Sequence, residues 1–143
     1  MKEEQFMSIG LRMIASHLEA KGYHYRVKEE RNAIEMGFNT DNKDSMDIVI
    51  IVDDDDESIG IRSFNYVKFP VSKIDAIYKA CSQMSRKYRW IKFYVDESDN
   101  TVTLAVDAVI QLETAGAEAL ELSGRMITIG DEAYPEFMKI IWS

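Results

Sequence analysis

The chain is short, apolar enough to fold and strongly acidic. Its 143 residues, 46% of them hydrophobic, suffice for one domain over residues 1–143 with a sizeable core, and they exclude a second domain of ordinary size. A net charge of −8 repels phosphate backbones and anionic membrane surfaces, so neither nucleic acid nor a membrane is expected as a partner.

The first predicted element is an amphipathic helix over residues 2–21. Its apolar positions recur at three- and four-residue spacings, the period of one helix face, and comprise Phe6, Ile9, Met13 and Leu18, with Met7, Leu11 and Ile14 beside them. Gly22 then predicts the end of the helix, because glycine readily takes the left-handed backbone conformation that terminates helices.

Four strands in an antiparallel meander are predicted next. Alternating apolar and polar residues indicate strands at residues 23–27, 34–38 and 59–66. The third strand of the meander, residues 46–52, ends in five consecutive apolar residues, a pattern typical of a strand that is buried on both faces.

A second helix is predicted to begin at Pro70 or Ser72, since Ser72 and Asp75 have the spacing of a capping box. Its predicted core stripe comprises Ile74, Ile77, Tyr78, Cys81 and Met84.

Two further strands and a helical region complete the chain. Residues 90–96 and 101–110 predict a hairpin, and helical spacing resumes after residue 113, with a closing helix that begins at Pro135. The order α-β-β-β-β-α-β-β-α differs from the strict strand-helix alternation of a parallel nucleotide-binding sheet. It predicts an α+β fold, a two-layer sandwich of an antiparallel sheet with helices packed on it.

Five consecutive acids, residues 53–57, are the stretch that most resembles a cation site. An EF-hand loop requires a glycine at its sixth position and a glutamate at its twelfth, and counting from Asp53 these positions are Ser58 and Phe64. The motif fails, so the acids are interpreted as the exposed tip of a hairpin, where like charges discourage edge-to-edge association. The acidic residues 96–100 receive the same interpretation.

Other reactive groups are too few for a site. Cys81, His17 and His24 fall short of the four nitrogen or sulfur ligands of structural zinc, and Cys81 lies on a predicted buried stripe. No glycine-rich phosphate loop occurs, and chance carboxylate pairs among 25 acids are uninformative. We therefore predict no catalytic, cofactor-binding or metal-binding residue and no enzymatic activity. A single cysteine and the lack of a signal-like apolar run lead us to expect a cytoplasmic protein.

Basic and aromatic residues interleave over residues 85–94, a texture that can bind single-stranded nucleic acid. The preferred interpretation places Arg86, Lys87 and Arg89 at the end of the second helix, where positive charge complements the helix dipole.

The predicted sheet indicates a protein partner. Alternate residues of the strand at 90–96 point to opposite faces, Ile91, Phe93 and Val95 to one and Trp90, Lys92 and Tyr94 to the other. The second face carries more apolar area than one terminal helix can cover, and uncovered patches of this kind usually mark protein contacts. The alternative, that both faces are covered within the chain, stays open. The predicted contact residues are Phe64, Tyr66, Trp90 and Tyr94.

Several short stretches carry a resemblance over nearly the whole chain: Leu18 with Gly22 and Tyr23, Phe69 with Pro70, residues 92–96, and Tyr134 with Pro135. In these the sequence resembles the YbjN-like family, whose members are often described as bacterial sensory transduction regulators and whose fold is similar to type III secretion chaperones. Family members often have an asparagine near the end of the second helix, where this chain reads Met84, Ser85, Arg86. The resemblance implies a small acidic bacterial protein, a homodimer, that binds another protein without chemistry.

Two functions are carried forward. The first is a non-enzymatic protein-binding module, chaperone-like or regulatory, which binds a partner protein of unknown identity through an apolar sheet face and needs no cofactor. The second is a small-ligand-binding domain or an unrecognised enzyme with a pocket between the sheet and the helices, which requires polar side chains that converge on that pocket.

Overall fold

Six antiparallel strands form one sheet, and three helices pack on one of its faces, over the residues 7–143 that the computed structural model describes. Phe6 and the predicted start of the first helix lie outside these residues. The predicted α+β sandwich and its element order are confirmed. In chain order the elements are α1 (Ile9–Ala20), β1 (Arg26–Lys28), β2 (Ala33–Asn39), β3 (Ser45–Val52), β4 (Ser58–Lys68), α2 (Ile74–Lys87), β5 (Lys92–Asp96), β6 (Thr101–Val109) and α3 (Ala115–Ile141).

The order of strands in the sheet is β1-β2-β3-β4-β6-β5. The first four strands form the predicted meander, because each pairs with the strand that follows it in the chain. After β4 the chain passes through α2 to the far edge of the sheet, and β6 returns between β4 and β5. This crossover makes β5 an edge strand and β6 an interior strand.

Residues at the two ends of α1 explain where this helix begins and ends. The Ser8 hydroxyl oxygen caps the first turn by accepting the backbone N–H of Leu11 at 3.1 Å. At the other end Gly22 has a φ of +80°, and the N–H groups of Gly22 and Tyr23 donate to carbonyls of the last turn. The predicted helix end at Gly22 is therefore confirmed.

The buried face of α1 differs in part from the predicted stripe. Ile9 and Met13 are 56% and 37% exposed. Contact with α3 decides which face is buried: the two helices approach so closely that a Cβ on Gly116 would lie 2.3 Å from the Cβ of His17. The large side chains that α1 buries are Leu11, Ile14 and Leu18.

Two predictions about β3 and α2 are wrong. Val49 and Ile51 of β3 are only half-buried, because the helices cover one face of the sheet and these side chains point to the other. Tyr78 of α2 is 41% exposed, and its hydroxyl donates to the carboxylate of Glu97. In place of a capping box, α2 begins through a 3-10 turn at Val71–Lys73. The residues that α2 buries are Ile77, Ala80, Cys81 and Met84.

Helix α3 is one continuous element of 27 residues, so the prediction of a separate closing helix at Pro135 is wrong. Proline has no N–H to donate to the carbonyl four residues earlier, which is that of Asp131. The side-chain amide of Asn42, in the loop between β2 and β3, donates to this carbonyl at 3.1 Å. The hydroxyl of Tyr66 donates to the neighbouring carbonyl of Gly130. Tertiary partners thus replace the hydrogen bond that proline removes.

The carboxylate of Asp131 fastens the loop between β2 and β3 to α3. It accepts hydrogen bonds from the backbone N–H groups of Asp41, Asn42 and Lys43, at 3.2, 2.8 and 2.8 Å. Partial burial acts to raise the pKa of this carboxyl group, but the N–H donors outweigh that effect and hold the pKa below its usual value. The charged form of Asp131 therefore stabilises the fold.

We expect Asp131→Asn to lower the free energy of unfolding at pH 7 by about 1 kcal/mol, since an amide accepts these bonds more weakly than a carboxylate and solvent screens the site. The pKa of Asp131 is lower in the folded than in the unfolded state, so its contribution is complete above the unfolded pKa and is lost as the pH falls through the folded pKa. Urea unfolding of both proteins at neutral and acidic pH measures this difference.

Glu113→Gln is the matched control. Glu113 is exposed and its carboxylate has no hydrogen-bond partner among residues 7–143, so the substitution removes the same charge without removing a bond. If Asp131→Asn lowers the free energy of unfolding as much at acidic pH as at neutral pH, this explanation is wrong.

Candidate functional site

The sheet face opposite the helices, called the open face below, carries apolar side chains that contact solvent. Pairing register places Val49 and Ile51 of β3 on this face, together with Phe64, Tyr94 and Val109 of the three strands beyond it. Phe64, Tyr94 and Val109 are 52%, 43% and 82% exposed. Phe64 and Tyr94 lie towards one end of this face and Val109 towards the other, since Tyr94 pairs with Thr103 and Val109 with Ser58. Exposed apolar side chains on a sheet face that no helix covers can mark protein contacts.

A bulge in β4 separates two of the predicted contact residues. The pairing of β4 with β6 shifts register between Ser63 and Val67, and Asn65 within the bulge has a left-handed φ of 57°. As a result Phe64 points to the open face, whereas Tyr66 is 2% exposed in the core. Burial raises the pKa of Tyr66, so its hydroxyl stays a hydrogen-bond donor. The rings that pack edge-on against Tyr66 are those of Phe93, Tyr134 and Phe137.

A groove of about 710 Å³ runs along the open face beside β1 and β2. It exists in part because Gly37 has no side chain: an added Cβ would lie 2.9 Å from Oδ1 of Asp47. An isolated glycine in a strand often marks such a close approach, so Gly37 is the sequence feature that could have indicated the groove. Other lining residues are Tyr25, Arg31, Val49 and Phe64.

Two ion pairs involve charged residues that line the groove. Arg26 Nη2 lies 3.0 Å from Glu35 Oε1, and Arg62 Nη2 lies 2.8 Å from Asp107 Oδ1. Arg62 also donates to backbone carbonyls of β4 and β6, which holds its guanidinium group against the strands. The open face thus combines apolar side chains with paired charges, the mixture typical of protein interfaces.

Trp90 lies apart from the open face, in the turn between α2 and β5. The N–H of Ile91 donates to the carbonyl of Arg89 at 2.8 Å, and Trp90 between them has a φ of +76°. This is a γ-turn of the strained form, and a left-handed backbone costs a bulky residue about 1–2 kcal/mol. The ring is 51% exposed, and Cζ of Arg125 in α3 lies 5.4 Å from its centroid. The face alternation predicted for residues 90–96 therefore does not extend to Trp90.

The acids at residues 53–57 form the tip of the hairpin between β3 and β4, as predicted. One of them contacts a helix: Oδ1 of Asp56 accepts the N–H of Gly10, in the first turn of α1, at 2.9 Å. A negative charge at this position complements the positive end of the helix dipole. The acidic tip therefore has a structural role in orienting α1.

Three further features bear on function. Among residues 7–143, no three His, Cys, Asp or Glu side chains are placed to hold a metal ion. Cys81 is buried, and burial raises the pKa of its thiol to about 12, so little reactive thiolate forms at neutral pH. No helix in the described part of the chain is long and apolar enough to span a bilayer.

Comparison with known proteins assigns the family. The matching family model, described as "YbjN: Putative bacterial sensory transduction regulator", covers residues 11–137. The chain belongs to the YbjN family. The crystal structure of YbjN from E. coli is similar to this chain with a TM-score of 0.62 at 16% identity, over 91% of this chain and 96% of that one. No curated protein matches the sequence.

The fold is also found in a chaperone–effector complex, in agreement with the chaperone-like fold that the sequence resemblance predicted. A chain of the HopA1–SchA chaperone–effector complex has a TM-score of 0.52 at 11% identity, over 82% of this chain and 90% of that chain. At such low identity the likeness concerns the fold.

The stretch Met84, Ser85, Arg86, where the family resemblance led us to expect an asparagine, contacts β5. The stretch without the asparagine contains Ser85, whose hydroxyl oxygen accepts the N–H of Phe93 at 2.9 Å and also contacts the Phe93 carbonyl at 3.3 Å. These bonds fasten α2 along the outer edge of β5. An edge strand covered in this way is protected from pairing with other chains.

Measurements of the free energy of unfolding test whether Phe64 points to the open face and Tyr66 into the core. We expect Tyr66→Ala to lower the free energy of unfolding by about 3–5 kcal/mol, because it leaves a cavity in the core, and Phe64→Ala by no more than about 1 kcal/mol. Urea unfolding measures both. The two variants control for each other, since they remove aromatic rings two positions apart in one strand. Equal losses would contradict the register shift in β4.

Proposed function

We propose that this YbjN-family protein is a non-enzymatic protein-binding module, chaperone-like or regulatory, which binds a partner protein on the open face of its sheet. We propose further that it acts as a homodimer in the cytoplasm. The observation that carries the first proposal is the exposure of Phe64, Tyr94 and Val109 on a face that the helices leave uncovered.

The energetics of the open face favour a protein partner. Complete burial of a large apolar side chain contributes about 1.5–3 kcal/mol, and Phe64 and Tyr94 each retain close to half of their surface for such burial. A partner segment laid in the groove would cover Phe64 and Val49 and meet the paired charges of Arg26 and Glu35 at its rim. Polar contacts at the rim would add specificity rather than most of the affinity.

The fold supports the same class of function. A chain with this fold takes part in the HopA1–SchA chaperone–effector complex, in which a protein is the ligand. The regulator description of the YbjN family is also consistent with a protein that acts through contact with another protein.

The alternative of a small-molecule pocket between the sheet and the helices has less support. That space contains packed core side chains, among them Tyr66, Phe93 and Phe137, whose ring centroids lie 5.6–6.0 Å apart. The groove, in contrast, lies on the other side of the sheet. A groove open to solvent and lined by Phe64 and Tyr25 fits a polypeptide segment better than an enclosed small ligand.

A comparison of three immobilised proteins tests the binding face. The first is the unaltered chain, and the second carries Phe64→Ser and Tyr94→Ser together. The third carries Trp142→Ser, a matched loss of one aromatic ring that is 81% exposed at the end of α3. We expect one protein from the lysate of the source cells to be retained by the first and third and lost from the second, as measured by quantitative mass spectrometry.

Calorimetry with the purified partner then completes the test. Burial of apolar surface predicts a negative heat-capacity change on binding, and loss of central aromatic contacts predicts at least a tenfold weaker Kd for the double variant. Retention of the partner by the double variant with unchanged affinity would refute binding through the open face.

The homodimer is tested separately by light scattering on the purified chain. We expect a mass of twice 16.5 kDa, because exposed apolar surface on a small protein favours self-association. A mass of 16.5 kDa across the accessible concentration range would refute the homodimer while leaving the proposal of a protein partner in place.

A further inference from the structure

The turn between α2 and β5 holds an exposed tryptophan in a strained backbone conformation. Trp90 is the central residue of a γ-turn, with a φ of +76° and a 2.8 Å hydrogen bond from the N–H of Ile91 to the carbonyl of Arg89. Glycine takes this conformation without strain, yet the position holds a tryptophan with 51% of its surface exposed. Burial of the ring therefore does not offset the strain, and strained residues of this kind cluster at functional sites.

The surroundings of Trp90 are basic, although the protein as a whole has a net charge of −8. The guanidinium group of Arg125, in α3, lies over the indole ring with its Cζ 5.4 Å from the centroid. Three further cations are exposed in the last turn of α2 and in the turn that follows it: Arg86, Lys87 and Arg89.

Nearby acids neutralise only part of this charge. Glu121 lies 2.7 Å from Arg125, and Glu132 lies beside Tyr88. The side chains of Arg86 and Arg89 have no ion pair or hydrogen bond within residues 7–143. Unpaired guanidinium groups beside an exposed aromatic ring are available to bind carboxylates in pairs of parallel hydrogen bonds.

We propose that Trp90, Arg125, Arg86 and Arg89 form a second docking surface, which binds an acidic segment of a partner protein. Carboxylates of the segment pair with the guanidinium groups of Arg86 and Arg89, and an apolar side chain of the segment contacts the face of the indole ring that Arg125 leaves free. Tryptophan, tyrosine and arginine are the residue types that dominate binding energy at protein interfaces, and Tyr88 lies next to this group. Charge complementarity selects an acidic partner segment.

An acidic peptide fits this surface better than a nucleic acid. The negative field of the remaining protein repels a polyphosphate chain along its length, whereas a short acidic segment needs to reach only the basic patch. Arg125 already covers one face of the Trp90 ring, so the ring cannot be stacked on both sides by bases.

This surface is separate from the open face, since Trp90 contacts α3 and lies outside the strand that presents Tyr94. The inference therefore does not rest on the proposed function. Substitutions of Phe64 and Tyr94 should leave binding at Trp90 unchanged, so the two proposals can fail independently.

The test uses the full chain with Trp142→Phe, which leaves Trp90 as the remaining one of the two tryptophans and makes its fluorescence a reporter. The probe is a short peptide of alternating glutamate and leucine, and a peptide of alternating lysine and leucine is its control. We expect the acidic peptide to shift the Trp90 emission, with an affinity that falls as salt rises, and the basic peptide to leave it unchanged. Equal binding of both peptides, or of neither, would overturn the proposal.

Two variants, measured with fluorescein-labelled peptide, separate binding from folding. Trp90→Gly should weaken binding of the acidic peptide at least about tenfold, while the urea midpoint of unfolding stays unchanged or rises because the γ-turn loses its strain. Arg89→Glu keeps the turn and reverses one exposed charge, so it should weaken binding comparably without loss of stability. Unchanged binding in both variants, or tighter binding of oligothymidylate than of the acidic peptide, would overturn the proposal.

Discussion

The packing of α3 across one face of the sheet is the constraint on which the remaining architecture depends. The helix reaches the strands at Gly130, where an added Cβ would lie 2.5 Å from Cε of Met46 and 2.9 Å from Cδ2 of Leu104. α1 packs against α3 near Gly116, and α2 packs beside β5 on the same side. The helices described for residues 7–143 therefore share one face, and the apolar side chains of the other face remain in contact with solvent.

Two local irregularities, the bulge in β4 and the proline in α3, are linked where α3 packs on the sheet. The bulge in β4 turns Tyr66 into the core, where its hydroxyl donates to the carbonyl of Gly130, in the turn of α3 that precedes Pro135. Proline weakens that same turn by removing a backbone donor, and Asn42 satisfies the carbonyl that proline leaves free. A bulge in a strand and a proline in a helix would each be costly alone. Together they connect the sheet, the helix and the loop between β2 and β3.

The protein presents two surfaces of different chemistry on an acidic body. The open face is apolar with paired charges, and it follows from the one-sided arrangement of the helices. The surface around Trp90 is basic, and it depends on a strained γ-turn and on Arg125 from a distant part of the chain. An apolar surface and a basic surface can hold separate segments of one partner or two different partners, while the net charge of −8 favours solubility.

Local patterns in the sequence determined the fold class, the strand meander, the cap at Gly22 and the exposed acidic hairpin tip, because each depends on residues close together in the chain. The family resemblance could also be recognised from the sequence, because short stretches of neighbouring residues carry it. Tertiary structure alone decided the continuity of α3 through Pro135, the inward turn of Tyr66 and the separation of Trp90 from Phe64 and Tyr94. The physical reason is that the bulge, the satisfied proline site and the contact of Trp90 with Arg125 depend on partners far away in sequence, which a periodic pattern of apolar residues does not encode.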